Sequence, residues 1–172
     1  MPRALILLLS FLPASALAAG QGENAVTGGA GLALALTGPT RVGATVDVRL
    51  LHGFNDSWSA RLGLEGSWLP GSGDTSATRI VTPSLGLTVA ADVLNLVPFA
   101  EAGFGFADIR GGGTASRQYL GGQLGVGVDY LATRHLTLSL LGRLDYFALR
   151  LAGPDGSRPV VATFALHLGR VF

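Results

Sequence analysis

Residues 136–146, Leu-Thr-Leu-Ser-Leu-Leu-Gly-Arg-Leu-Asp-Tyr, decide the fold. Leu136, Leu138, Leu140, Gly142, Leu144 and Tyr146 fall on one side of a period-two ribbon, and Thr137, Ser139, Leu141, Arg143 and Asp145 fall on the other. Successive side chains of a strand point to opposite faces, so this segment reads as a strand held between two different solvents. Upstream, Val42, Ala44, Val46, Val48 and Leu50 are divided in the same way from Arg41, Gly43, Thr45, Asp47 and Arg49. The division recurs in Leu120, Leu124, Val126, Val128 and Tyr130 against Tyr119, Gln123, Gly125 and Asp129.

Extended along the chain, the pattern gives eight strands, at about residues 25–36, 41–52, 57–69, 77–91, 97–109, 117–131, 135–149 and 159–172. Each is as long as the roughly 9–11 residues that a tilted strand needs to cross a bilayer. Turn residues punctuate the runs: Gly38-Pro39, Asn55-Asp56, residues 70–74, Asn95, residues 111–113, residues 132–134 and residues 153–156. Pro83 falls inside a run, and because it cannot donate to a ladder it predicts an irregularity near the start of the fourth strand. From the second connection onward longer gaps alternate with shorter ones. This is the expected pattern of external loops and periplasmic turns, and an even strand number then places both chain ends in the periplasm.

Composition points the same way. Of 172 residues, 48% are hydrophobic and 13% charged, with 26 Gly, no Cys and no Lys. The charged fraction is about half the ~25% of a soluble domain. After the first dozen residues no apolar run is long enough for a helical membrane span, so the apolar residues are distributed along strands. Met1-Pro2-Arg3, the apolar run 4–12 and Ala16-Leu17-Ala18 read as a secretory signal over residues 1–18, cleaved to leave a single domain at 19–172. No Cys follows the cut to carry a lipid. Without Arg3, 11 arginines face 11 acidic residues, which leaves no electrostatic footprint for nucleic acid.

In hydrocarbon every backbone polar group needs an internal partner, so strands cross a membrane only as a closed barrel. The expected fold is therefore all-β, a closed eight-stranded antiparallel up-and-down transmembrane β-barrel. Trp58 and Trp68 share a face ten residues apart, roughly 25 Å along the membrane normal, which is the height of the apolar band. Tyr130 and Phe172 are expected with Trp58 at the periplasmic rim, and Phe104, Phe106 and Tyr146 with Trp68 at the outer rim, giving an aromatic girdle. The structural rival is a soluble barrel of lipocalin type, with the apolar face inward. The tryptophan spacing, the low charge and the terminal Phe172 favour the membrane.

A signal peptide, eight alternating strands and the terminal Phe172 together resemble the small eight-stranded outer-membrane barrels of Gram-negative bacteria, the class of the OmpA transmembrane domain and OmpX. The resemblance covers the whole mature chain and rests on architecture more than on a sharp motif. The last strand resembles the assembly signal of that class, with Phe164, Leu166, Leu168 and Phe172 on one face, interrupted by Arg170. It implies location in the outer membrane, contact with outer-membrane lipid and lipopolysaccharide, and delivery by periplasmic chaperones to the barrel-assembly machinery. A monomer is expected.

The inward face collects Arg41, Asp47, Arg49, Arg61, Glu65, Glu101, Asp129, Arg143 and Asp145, with Tyr119, Gln123 and His167. Eight strands leave an interior that side chains just fill, so a polar plug of ion pairs is expected rather than a wide channel, with a gated ion path as the other reading. Glu65 or Glu101 is expected to pair with Arg61 or Arg143. Gly103, Gly105, Gly121, Gly125 and Gly127 share the inward parity and make room for larger side chains opposite. His52, His135 and His167 show no ligand spacing, so neither metal nor cofactor is expected. Arg79 and Arg150 fall near the outer rim on the lipid-facing parity, and Arg110, Arg117 and Arg158 flank external loops; together they read as a solvated rim, with contact to lipopolysaccharide phosphates as the other reading.

The function expected is a non-enzymatic structural, envelope-integrity or surface-interaction role. Two alternatives stay open. A lipid-A-modifying barrel enzyme would need a nucleophile and base facing the outer leaflet, whereas the nearest approach, His135-Leu136-Thr137, falls at a periplasmic turn. A narrow lateral path for small hydrophobic solutes would need a gap in the wall near Pro83 and an apolar lumen.

Overall fold

A computed structural model of the chain describes residues 21–38, 40–71, 76–91, 95–111, 115–133, 135–153 and 158–172. The leader 1–18 and the turn residues Pro39, Ser72, Gly73, Asp74, Gly112, Gly113, Arg134, Pro154, Asp155 and Gly156 lie outside these. Eight strands follow in order: β1 (Asn24–Ala35), β2 (Arg41–Gly53), β3 (Trp58–Leu69), β4 (Thr78–Ala90), β5 (Leu96–Gly111), β6 (Arg117–Thr133), β7 (Leu136–Ala152) and β8 (Val160–Val171). Each pairs antiparallel with the next, and β1 pairs with β8 to close the barrel. Closure satisfies the edges that an open sheet would present.

Both ends of the described chain lie at one end of the barrel. There Asn24 N donates to Phe172 O at 3.0 Å, and Phe172 N donates to Asn24 O at 2.9 Å. This terminal end also carries the turn 54–57, the ends of β4 and β6 and the starts of β5 and β7. Asn55 Oδ1 accepts from the backbone nitrogens of Ser57 and Trp58, both at 2.9 Å, an Asx turn that fixes where β3 begins. The far end carries the connection from β1 to β2, the ends of β3, β5 and β7 and the starts of β4, β6 and β8. Gly38, at φ +78°, makes the first of these tight, and Thr37 Oγ1 ties it to β8 by accepting from Val160 N at 2.9 Å.

The alternation read from sequence becomes an inside-out protein. The outward face carries Leu32, Val46, Leu64, Leu85, Leu124, Leu140 and Leu166, all exposed, while Arg61, Gln123, Asp145 and Thr163 are fully buried. An apolar surface this extensive belongs against lipid. Trp58 and Trp68 both point outward, 45% and 53% exposed. Trp58 opens β3 at the terminal end, the end that also carries Tyr130 on β6 and the outward Phe172. Trp68 and Tyr146 lie toward the far end, where Tyr146 pairs with Val160, the first residue of β8. Phe164, Leu166, Leu168 and Phe172 are all exposed on the outward side, as is Arg170.

Strand bounds differ from the sequence reading at the far end. β5 reaches Gly111 and β7 reaches Ala152, past the expected 109 and 149. Register shifts between Gln118 and Tyr119 and between Leu120 and Gly122 let β6 and β7 absorb a mismatch and keep pairing upward. The irregularity expected at Pro83 is narrow. The β3–β4 ladder runs through it, with Leu64 opposite Pro83, while the β4–β5 ladder lacks Thr82 and Pro83 and resumes at Ser84 in unchanged register. A proline nitrogen facing β5 removes one donor without displacing the strand.

Candidate functional site

The lumen has three layers. At the far end Ala33, Ala35, Leu69, Ile80, Ala107, Tyr119, Phe147 and Val161 form one buried apolar cluster. At the terminal end Ala90, Val97, Phe99 and Leu141 form a second, and Ala25 with Val171 a third. Between them lies a belt of charge.

Two ionic groups make up most of that belt. In the first, Glu101 Oε2 takes Arg49 Nη1 at 3.2 Å and lies 3.5 Å from Arg61 Nε. Arg61, 0% exposed, also donates from Nη1 to Ser84 Oγ and from Nη2 to Gln123 Oε1, both at 3.1 Å. In the second, Arg143 pairs with Glu65, and its Nε lies 3.1 Å from Asp145 Oδ1. Ser67 Oγ donates to Glu65 Oε1 at 2.9 Å. Asp47 links a third pair to the first group: His167 Nε2 lies 2.7 Å from its Oδ1, and Arg49 Nε lies 4.0 Å from its Oδ2. Arg49 Nε also donates to Thr27 Oγ1 at 3.2 Å. Asp129, also buried, stands directly opposite Ser139 across β6 and β7. A buried charge without a partner costs several kcal/mol, roughly, so mutual pairing is what allows these groups inside.

Glycines give the long side chains their space. A Cβ at Gly86 or Gly103 would come within 3.0 or 3.1 Å of Arg61 Nη2, and one at Gly125 within 2.8 Å of Glu101 Cγ. At Gly29 it would overlap the imidazole of His167.

Of the inward residues expected from sequence, Asp47, Arg49, Arg61, Glu65, Glu101, Asp129, Arg143 and Asp145 lie buried in this belt or beside it. Arg41 is placed elsewhere. It sits at the far mouth, donating from Nη1 to Thr78 Oγ1 at 3.1 Å and Ser76 O at 3.3 Å, because β2 begins there and its first inward position lies beyond the apolar cluster. The expected partnership of the glutamates takes the form Glu101–Arg61 and Glu65–Arg143. The Asp47–His167 pair was not foreseen, nor were the hydroxyl partners Thr27, Ser67 and Ser84. The inward parity of those residues was the available signal.

The remaining candidates lie apart. His52 and His135 are at the terminal end, where His52 Nδ1 lies 3.0 Å from Asn24 Oδ1. Among the described residues no group of His, Cys, Asp and Glu is placed to hold a metal ion. The wall is closed on the β3 side of Pro83. An outward depression lies instead at the β1–β8 seam, over Gly28, Gly29 and Ala30 and between Leu138, Leu166 and Leu168. Within the lumen, a cavity of about 20 Å³ is lined by Thr27, Arg49, Thr88, Asp129, Thr137 and Ser139 among others, space for about one water molecule.

Known proteins share this architecture. Neisserial surface protein A superposes with a TM-score of 0.75 at 13% identity, covering 88% of this chain and 97% of that one. OprG of Pseudomonas aeruginosa gives 0.61 at 13% identity, covering 91% and 99%. The outer membrane enzyme PagL gives 0.53 at 16% identity, covering 84% and 97%. At these identities the likeness is one of fold. No curated protein sequence matches the chain. The sequence profile of the outer membrane protein beta-barrel domain matches residues 4–172, nearly the whole chain, and the chain belongs to that family of bacterial outer-membrane proteins.

Proposed function

We propose that the chain is a non-enzymatic outer-membrane barrel with a closed lumen, contributing to envelope integrity and presenting its far end at the cell surface. On this reading residues 1–18 are removed on export, and the terminal end faces the periplasm. Phe164, Leu166, Leu168 and Phe172 are the segment read by the assembly machinery after periplasmic chaperones deliver the chain, and the barrel stands as a monomer among outer-membrane lipids and lipopolysaccharide. The observation that carries the reading is the belt of Arg49, Arg61 and Arg143 with Glu65, Glu101 and Asp145, buried between two apolar layers. An ion crossing it would have to displace paired charges from a site with almost no room for water.

Histidine placement supports the absence of catalysis. None of the three histidines lies at the far end, so an imidazole base facing the outer leaflet is lacking. Charged side chains across the middle of the lumen oppose a path for apolar solutes.

The test is expression of the full precursor in a Gram-negative host. The outer-membrane fraction should hold a band whose mobility on a denaturing gel changes on boiling, and the purified protein should give no stable conductance in planar bilayers. A soluble periplasmic product would remove the membrane reading. A steady open pore would remove the closed lumen, and altered lipid A acylation on overexpression would restore the enzyme.

A further inference from the structure

At the far end of the outward face two arginines stand side by side. Arg79 on β4 is directly opposite Arg110 on β5, and on the other side Arg79 is opposite Trp68 on β3. All three are exposed and share the lipid-facing side. Cβ atoms of directly opposed residues are about 5 Å apart, and like charges placed so repel one another. Only one of the two is neutralised. Asp108, two residues before Arg110 on the same face, accepts from Arg110 Nε at 3.1 Å and Nη2 at 2.7 Å and is itself held by Ser116. This bidentate grip fixes the guanidinium of Arg110 and leaves its Nη1 free of Asp108. Arg79 has no ion-pair or hydrogen-bond partner among the described residues.

We propose that Arg79 and Arg110 form a binding site for a phosphate group of lipid A in the outer leaflet, at the level marked by Trp68. The proposal rests on the orientation given above. Three observations support it. The repulsion between opposed arginines is relieved by an anion between them. Guanidinium groups match phosphate oxygens with paired hydrogen bonds. An outward tryptophan at a strand end belongs at headgroup height, so the two charges sit where lipid phosphates are and not in the hydrocarbon. A phosphomonoester, close to two negative charges, suits two guanidinium groups better than the single charge of a phospholipid diester.

The chain has two tryptophans, so Trp58→Phe leaves Trp68 as a reporter beside the site. The protein expressed from the full precursor with this change, purified from outer membranes and placed in lipid nanodiscs, is titrated with diphosphoryl lipid A, with chemically dephosphorylated lipid A and with phosphatidylglycerol. Diphosphoryl lipid A is expected to change Trp68 emission with an affinity at least roughly tenfold above the other two, about the loss of one charge-assisted contact. Arg79→Gln with Arg110→Gln should abolish the preference, and Arg170→Gln, at the opposite end, should leave it intact. Equal binding of all three lipids, or an undiminished preference in the double variant, overturns the site. Failure of the underlying orientation is distinguishable because the chain has no cysteine. Thr40→Cys should react with an impermeant maleimide on intact cells and Ser57→Cys only after lysis, and the reverse pattern overturns the orientation itself.

Discussion

Arg143 holds two carboxylates, Glu65 and Asp145, whereas Arg61 shares its one carboxylate, Glu101, with Arg49. Both arginines are buried, but their removal leaves different residues behind. Arg143→Leu strands two negative charges, a loss on the order of 3–5 kcal/mol. Arg61→Leu leaves Glu101 paired with Arg49 and frees only the neutral acceptors Ser84 and Gln123, costing about 1–3 kcal/mol. Urea unfolding from lipid vesicles should therefore place Arg143→Leu well below Arg61→Leu. Adding Glu65→Gln and Asp145→Asn to Arg143→Leu should recover part of the loss. Equal midpoints for the single and the triple variant would show that stranded charge is not its source. At this scale the sequence revealed which side chains point inward, because parity is a local property of a strand. It could not reveal that Asp47 on β2 meets His167 on β8, since that contact depends on how the barrel closes on itself.

Strand number and the identity of each strand were legible from alternation and turn residues. Strand ends were less so at the far rim. Gln118 to Gly122 shift register there, and Leu149, Arg150 and Leu151 are all exposed, so the alternation that marks a strand fades before the pairing does. Pro83 shows how one residue acts on an element. It removes a donor on the β5 side of β4, and the register on either side of the gap is the same. Pro83→Val should therefore complete the ladder without moving any neighbour, adding about 1 kcal/mol. Hydrogen exchange of the β5 backbone around Phe106 and Ala107 should slow in the variant, while exchange in β3 around Leu64 stays the same. Slowing that spread equally to β3, or no slowing at all, would mean that the gap comes from the twist of the strands and not from the missing donor.

For the whole molecule, closure rests on barriers in series. An ion entering from the far end meets Phe147, Tyr119 and Leu69 first, then the Arg61–Glu101 and Arg143–Glu65 groups, then Phe99 and Leu141. The apolar layers were partly visible in sequence, since Leu141 interrupts the polar side of the 136–146 run. Their collection into layers at the two ends was not, because each layer draws single residues from several strands. Series barriers make a particular prediction. Trimming one layer leaves the others intact, so Phe147→Ala should be as silent in planar bilayers as the native protein. Arg61→Ala should also be silent, since both apolar layers remain. Joining Phe147→Ala with Arg61→Ala thins two successive layers and leaves the terminal-end layer whole, and small, flickering conductance is expected there first. Steady conductance from Phe147→Ala alone would show that the charged belt does not stop ions, so that closure belongs to the apolar layers.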